Sequence, residues 1–67
     1  MNILKLRGKM VEKQINVDQL AKSINVNSAT MYRKIKNGDG ITLGEAARIK
    51  QVLDLTDAEA YEIFLAN

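Results

Sequence analysis

The sequence predicts an all-α fold of five short helices, and three observations predict it. Apolar residues recur at intervals of three and four along five segments, the spacing that gathers them on one face of a helix. Capping boxes open three of those segments: Asn16 with Gln19, Thr42 with Glu45, and Thr56 with Glu59. Proline is absent, and no segment reads as a strand.

The first helix is expected from about Asn2 to Lys13, with Ile3, Leu6, Met10 and Val11 on its inner face. Gly8 lies inside it at a cost of about 1 kcal/mol relative to Ala. Either a neighbouring helix approaches closely there or the site is tolerant. The second helix starts at the cap Asn16 and ends near Ile24, burying Leu20, Ala21 and Ile24. Asn25 follows, where the chain must reverse within three residues. Such a reversal usually needs φ > 0, which Asn accepts better than other residues with a side chain. Ala21 is small where the second and third helices would cross, and Val26 plugs the gap between them.

The third helix begins after the cap Asn27 and runs to Lys36 or Asn37, with Met31 and Ile35 inward. Asn37-Gly38 is also a hairpin signal, but its flanks do not alternate, so it reads as a left-handed helix stop. The fourth helix is expected over about Leu43–Leu53 and the fifth over Asp57–Ala66. Their apolar residues at helical spacing are Leu43, Ala46, Ala47, Ile49, Val52 and Leu53, then Ala60, Tyr61, Ile63, Phe64 and Leu65. One helix cannot bury three consecutive apolar residues against a small core. At least one of Ile63, Phe64 and Leu65 is therefore expected at a subunit interface.

Sixty-seven residues suggest a single domain, with a core only just large enough to fold unaided. Cys and His are both absent, which excludes disulfides and thiolate or imidazole metal sites and removes the commonest groups of nucleophilic and base catalysis. No carboxylate pair or phosphate loop is convincing, so neither an enzyme nor a cofactor is expected. No run is long enough to span a membrane and the first residues lack a signal-peptide layout, so a soluble intracellular protein is expected.

The net charge of +2 conceals an asymmetry. Up to Gly38, eight basic residues face two acidic ones, a balance of +6; from Asp39 onward two face six, a balance of −4. Such a division points to a polyanion partner on one side, or to a solvated surface whose charges cluster by chance. The strongest signal is the span Asn16–Gly38: two capped helices around a tight turn form a wedge whose outer edge carries Arg33, Lys34 and Lys36. A helix-turn-helix of this shape suits the major groove of DNA.

The run Leu20-Ala21-Lys22-Ser23-Ile24-Asn25-Val26-Asn27-Ser28-Ala29-Thr30-Met31-Tyr32 resembles the helix-turn-helix signature of the Cro and repressor family of phage regulators. The more typical signature has Gly at the position of Asn25 and Ser at that of Asn27. The opening Leu4-Lys5-Leu6-Arg7-Gly8-Lys9-Met10-Val11-Glu12-Lys13, the stretch Tyr32-Arg33-Lys34-Ile35 and the ending Glu62-Ile63-Phe64-Leu65-Ala66 are similar to small Cro-like regulators of phages and prophages in low-GC Gram-positive bacteria. The resemblance covers nearly the whole chain. It implies a compact five-helix, lambda-repressor-like domain that binds double-stranded operator DNA, commonly as a homodimer, in the host cytoplasm at the nucleoid. No small-molecule substrate or membrane partner is implied.

Carried over by position, the resemblance places Ser28, Ala29, Tyr32 and Arg33 at base edges. Arg33 is the strongest candidate, since a guanidinium can bond guanine O6 and N7 together. Ala29 suits a thymine methyl. Tyr32 either reaches the phosphate backbone or packs half-buried against the first helix. Thr30, Lys34, Lys36 and, more weakly, Lys22 are read as phosphate contacts, joined by the caps Asn16 and Asn27. Where the family often has a phosphate-clamping Gln at the start of the second helix, this chain has Val17. Asn16 or the free N–H groups of that helix would then replace the clamp. The loop Gly38–Thr42 either offers further N–H groups to a phosphate or merely turns the chain. The alternative function is a helical protein-interaction module, such as an antirepressor or adaptor. The basic and polar surface of the third helix (Ser28, Thr30, Arg33, Lys36) favours DNA.

Overall fold

The computed structural model describes residues 1–66 and contains five helices and no strand among them. They are α1 (Ile3–Glu12), α2 (Val17–Ser23), α3 (Ser28–Asn37), α4 (Leu43–Val52) and α5 (Asp57–Phe64). The helices form the all-α fold that the sequence predicts, within a turn of the expected limits.

Every helix has a side-chain N-cap. Asn2 accepts from the Lys5 N–H, and Asn27 from those of Ala29 and Thr30. All three capping boxes are formed, with the cap side chain and the residue three positions on exchanging bonds with each other's backbone. The stops are equally regular. After α1, α2 and α4 the chain takes one left-handed residue, Gln14 (φ 56°), Asn25 (φ 59°) or Asp54 (φ 52°). The apolar residue after each, Ile15, Val26 or Leu55, donates its N–H back to the carbonyl of Met10, Ala21 or Lys50 at 2.9 Å. These are three Schellman closures, each followed at once by the cap of the next helix. α3 ends differently: Gly38 (φ 72°) donates to the Lys34 carbonyl in an αL closure, and Asp39 donates to the same carbonyl at 3.3 Å.

The core collects Leu6 and Met10 of α1, Leu20, Ala21 and Ile24 around α2, and Met31 and Ile35 of α3. Ile49 and Leu53 of the α4 region, the post-helix residue Leu55, and Ile63 of α5 complete it. α2 packs mainly on α3, α4 contacts α2, and α5 packs on α4 and returns to α1. The Asn2 N–H donates to the Ile63 carbonyl at 2.7 Å, fastening the start of the chain to α5. Arg48 reaches from α4 to the carbonyl of Ile24 at 3.3 Å, tying α4 to the turn between α2 and α3.

Val11, expected on the inner face of the first helix, is 78% exposed, and Leu43 (80%), Tyr61 (58%) and the candidate subunit contact Leu65 (61%) also lie mainly outside. The reason is the width of the contact. Each helix is two or three turns long and meets few neighbours, so only the centre of its apolar stripe is covered. Ile63 is the opposite case. The sequence groups it with Phe64 and Leu65 as a candidate subunit contact, but it is wholly buried in the core and has no surface to offer.

The Gly8 alternatives are also resolved. A Cβ there would meet nothing within 4 Å, so no helix approaches and the site is tolerant. The charged halves, for their part, are not simply opposite faces. Lys5 pairs with Glu62, Lys9 with Glu59 and Glu12, Lys34 with Glu45, and Lys50 with Asp57. Much of the acidic end therefore neutralises lysines of α1 and α3 across helix contacts.

Candidate nucleic-acid interface

The wedge rests on the α2–α3 turn. Left-handed Asn25 lets the Val26 N–H close on Ala21, and Asn27 starts α3 two residues later. Met31 and Ile35 anchor one side of α3 in the core, which fixes the rotation of the helix and hence which residues face outward. Ala29, Tyr32, Arg33 and Lys36 are exposed on that outer side, and Ser28 and Thr30 are half-buried at its margins. The four candidates for base contact thus share one face and its edge.

Of the residues read as phosphate contacts, Lys36 and Lys22 are exposed, on α3 and α2 respectively. Asn16 and Asn27 are exposed as well, but both side-chain carbonyls are engaged in capping. Their side-chain amide nitrogens take no part in those caps and can still turn to a phosphate.

Lys34 lies elsewhere. It is on the flank of α3 that faces α4, and its Nζ donates to both carboxylate oxygens of Glu45, at 2.9 and 3.0 Å. The two side chains are only 15% and 13% exposed. The Lys34 bond, followed by the N–H of Thr42, holds the Glu45 carboxyl below its usual range. One carboxylate therefore serves the capping box of α4 and the brace on α3 together. Lys34 is turned away from the outer face because its helical position is two residues, roughly 200° around the axis, from Lys36. It positions α3 instead of extending its cationic face.

The loop after α3 is mostly self-contained. Gly38 and Asp39 both donate to the Lys34 carbonyl, and Thr42 donates to Glu45. Three of its N–H groups are thereby unavailable to an anion.

A groove of about 740 Å³ runs along the other flank of α3. Val17 and Ile15 contribute to its floor with Met10 and Ile35; Tyr32, Arg33 and Lys36 edge it from α3, and Arg7 and Val11 from α1. This accounts for the exposure of Val11, one turn beyond Arg7 on the same side of α1. It also gives Tyr32 its place, half-exposed at the α1–α3 junction. Arg7 was not among the sequence candidates: nothing in its local pattern separates it from Lys5 and Lys9, and only the tertiary pairing does.

A capped two-helix wedge, braced from behind and bearing exposed cations on its second helix, defines a helix-turn-helix DNA-binding domain. The chain belongs to the Cro/C1-type HTH DNA-binding domain family, whose model matches residues 5–64. The family is one of DNA-binding regulatory domains, not of enzymes. No curated protein and no solved structure matches the chain significantly. Among the described residues, no helix is long and apolar enough to cross a membrane.

Proposed function

We propose that this DNA-binding regulator is a sequence-specific, Cro-like repressor of phage or prophage type that inserts α3 into the major groove of operator DNA. The observation that carries the reading is the division of cations on α3. Lys34, on the inner flank, is neutralised by Glu45, whereas Arg33 and Lys36 stand exposed on the outer face without a carboxylate partner among the described residues. These two cations are free to meet an external anion.

In this reading Arg33 takes a guanine edge, Ser28 and Ala29 contact neighbouring base edges, and Tyr32 meets the groove wall or backbone. Lys36, Thr30, Lys22 and the amides of Asn16 and Asn27 hold phosphates. The protein acts as a homodimer, as palindromic operators require of a two-fold symmetric reader. Support for the partner surface comes from a second groove, between α4 and α5, where Leu43, Tyr61 and Leu65 are exposed beside half-buried Phe64.

Selection of bound duplexes from a random pool tests the proposal. It should return one enriched site with two-fold symmetry. Arg33→Ala should then cost about 1–3 kcal/mol and relax preference at a single base of each half-site. A pool that stays unenriched after repeated rounds refutes sequence-specific binding.

A further inference from the structure

We propose that Arg7 of α1 is a phosphate anchor, so that the DNA-binding surface includes the groove between α1 and α3 as well as α3 itself. The inference rests on the DNA-binding reading and assigns a ligand, a backbone phosphate of duplex DNA, to a place that reading leaves empty.

Five of the ten cations are engaged within the chain; Arg7, Lys13, Lys22, Arg33 and Lys36 have no carboxylate partner among the described residues. On α1, Lys5 is held by Glu62, and Lys9 by Glu59 and Glu12. On α3, Lys34 is held by Glu45, and on α4, Lys50 is held by Asp57. Arg48 is turned inward to the Ile24 carbonyl. Arg7 is exposed and has no carboxylate partner among the described residues. It lines the same groove as Arg33 and Lys36, the two unpaired cations of α3. Three positive side chains from two helices thus converge on one concavity, and no carboxylate lines it.

The floor of that concavity excludes a simple hydrated cluster. Met10, Ile15, Val17 and Ile35 present apolar surface between the cations, with Val11 beside Arg7 at the edge. A nucleic-acid backbone matches this alternation, because its phosphates are separated by the C–H edges of deoxyribose. Arg is suited to the anchoring role, since its planar fork can bond two phosphate oxygens at once and is always charged. The Val17 side chain offers no donor on this wall, and Arg7 supplies one from the opposite side.

The test uses the full chain and a labelled mixed-sequence duplex, with affinity measured by fluorescence anisotropy across a range of salt concentrations. Each lost phosphate contact should reduce the log–log slope by about 0.9. For Arg7→Gln, the deficit against the unmodified protein should therefore widen about eightfold for each tenfold fall in salt. Arg7→Lys, which keeps the charge, should restore most of the slope. Lys9→Gln makes the same change in net charge on the same helix but outside the groove, and should leave the slope as it is. Thermal melts of Arg7→Gln should match the unmodified protein, because Arg7 braces nothing.

An unchanged slope for Arg7→Gln overturns the assignment, as does a loss confined to one preferred sequence or an equal loss for Lys9→Gln. An acidic protein segment as the natural occupant of the groove would give the first of these results. If the unmodified protein shows no salt-dependent binding, the DNA reading itself fails and takes this inference with it.

Discussion

Lys34 and Lys36 are separated by one residue, and the structure gives them opposite surroundings: Lys34 is paired and largely covered, Lys36 exposed and unpaired among the described residues. Lys34→Ala removes an ion pair with two bonds of 2.9 and 3.0 Å between side chains only 15% and 13% exposed. Exposed pairs contribute about 0.2–1 kcal/mol, whereas breaking a fully buried pair costs about 3–5 kcal/mol. This pair lies between, and Glu45 keeps its bonds to Thr42 after the change, so a loss of about 1–2 kcal/mol is expected. For a domain of this size that lowers the melting temperature by about 4–8 °C per kcal/mol. Lys36→Ala removes an exposed, unpaired cation and should leave the melting temperature within error. In salt titrations with duplex DNA the order reverses: Lys36→Ala loses about 0.9 of the slope and Lys34→Ala keeps it. A double-mutant cycle of Lys34→Ala with Glu45→Gln should recover the coupling, since either single change breaks the same pair. If Lys34→Ala melts like the unmodified protein and loses slope as Lys36→Ala does, the brace is not formed in solution and Lys34 is a phosphate contact after all.

Three further outcomes can be checked with the same material. Gly8→Ala should stabilise the protein by about 0.8–1 kcal/mol, because Gly8 is exposed inside α1 and its added Cβ meets nothing; Gly38→Ala, at φ 72°, should destabilise it, and thermal melts of the pair would show opposite shifts. Lys9, then Thr56, hold the Glu59 carboxyl down at about 2, and Glu45 and Asp57 are lowered by Lys34 and Lys50. Lowered carboxyls favour folding above their ordinary range, so stability should be flat near neutrality. It should be lost as the pH falls from 4.5 towards about 2, and Glu59→Gln should flatten part of that decline in acid melts. Leu65→Glu should convert a dimer to a monomer in sedimentation without a fall in melting temperature, since Leu65 is largely exposed; a strict monomer of the unmodified protein at high concentration refutes the α4–α5 interface.

The fold was legible because its signals are local. Asn16-Gln19, Thr42-Glu45 and Thr56-Glu59 are complete in four residues, and each forms as read. Asn25 was legible too, because Asn is among the few residues that accept φ > 0. Gln14 and Asp54 make the same reversal and were missed. Gln gives no compositional hint of it, and only the repeated order of left-handed residue, apolar plug and cap (Gln14-Ile15-Asn16, Asn25-Val26-Asn27, Asp54-Leu55-Thr56) could have revealed the kinship. Leu55 was overlooked as core for the same reason. It lies between helices, where the three-and-four spacing does not apply, yet is buried by the closure it completes.

The site was legible only as far as position along a helix decides it. Spacing shows that Ala29, Arg33 and Lys36 share the side of α3 opposite Met31 and Ile35. Spacing does not show which cation is free, since that depends on what the neighbouring helices bring. Glu45 is eleven residues from Lys34, and Glu62 is fifty-seven from Lys5. The balance of +6 against −4 therefore overstated the field of the first half: three of its eight basic residues are neutralised by the second. What the pairing leaves exposed is smaller and more directed. Five basic residues of that half stay unpaired among the described residues: Arg33 and Lys36 on α3 with Arg7 across the groove from them, and Lys13 and Lys22 outside it. In the proposed complex a polyanion seats in the concavity beside α3, which would set the register of α3 on its target as well as add to the attraction.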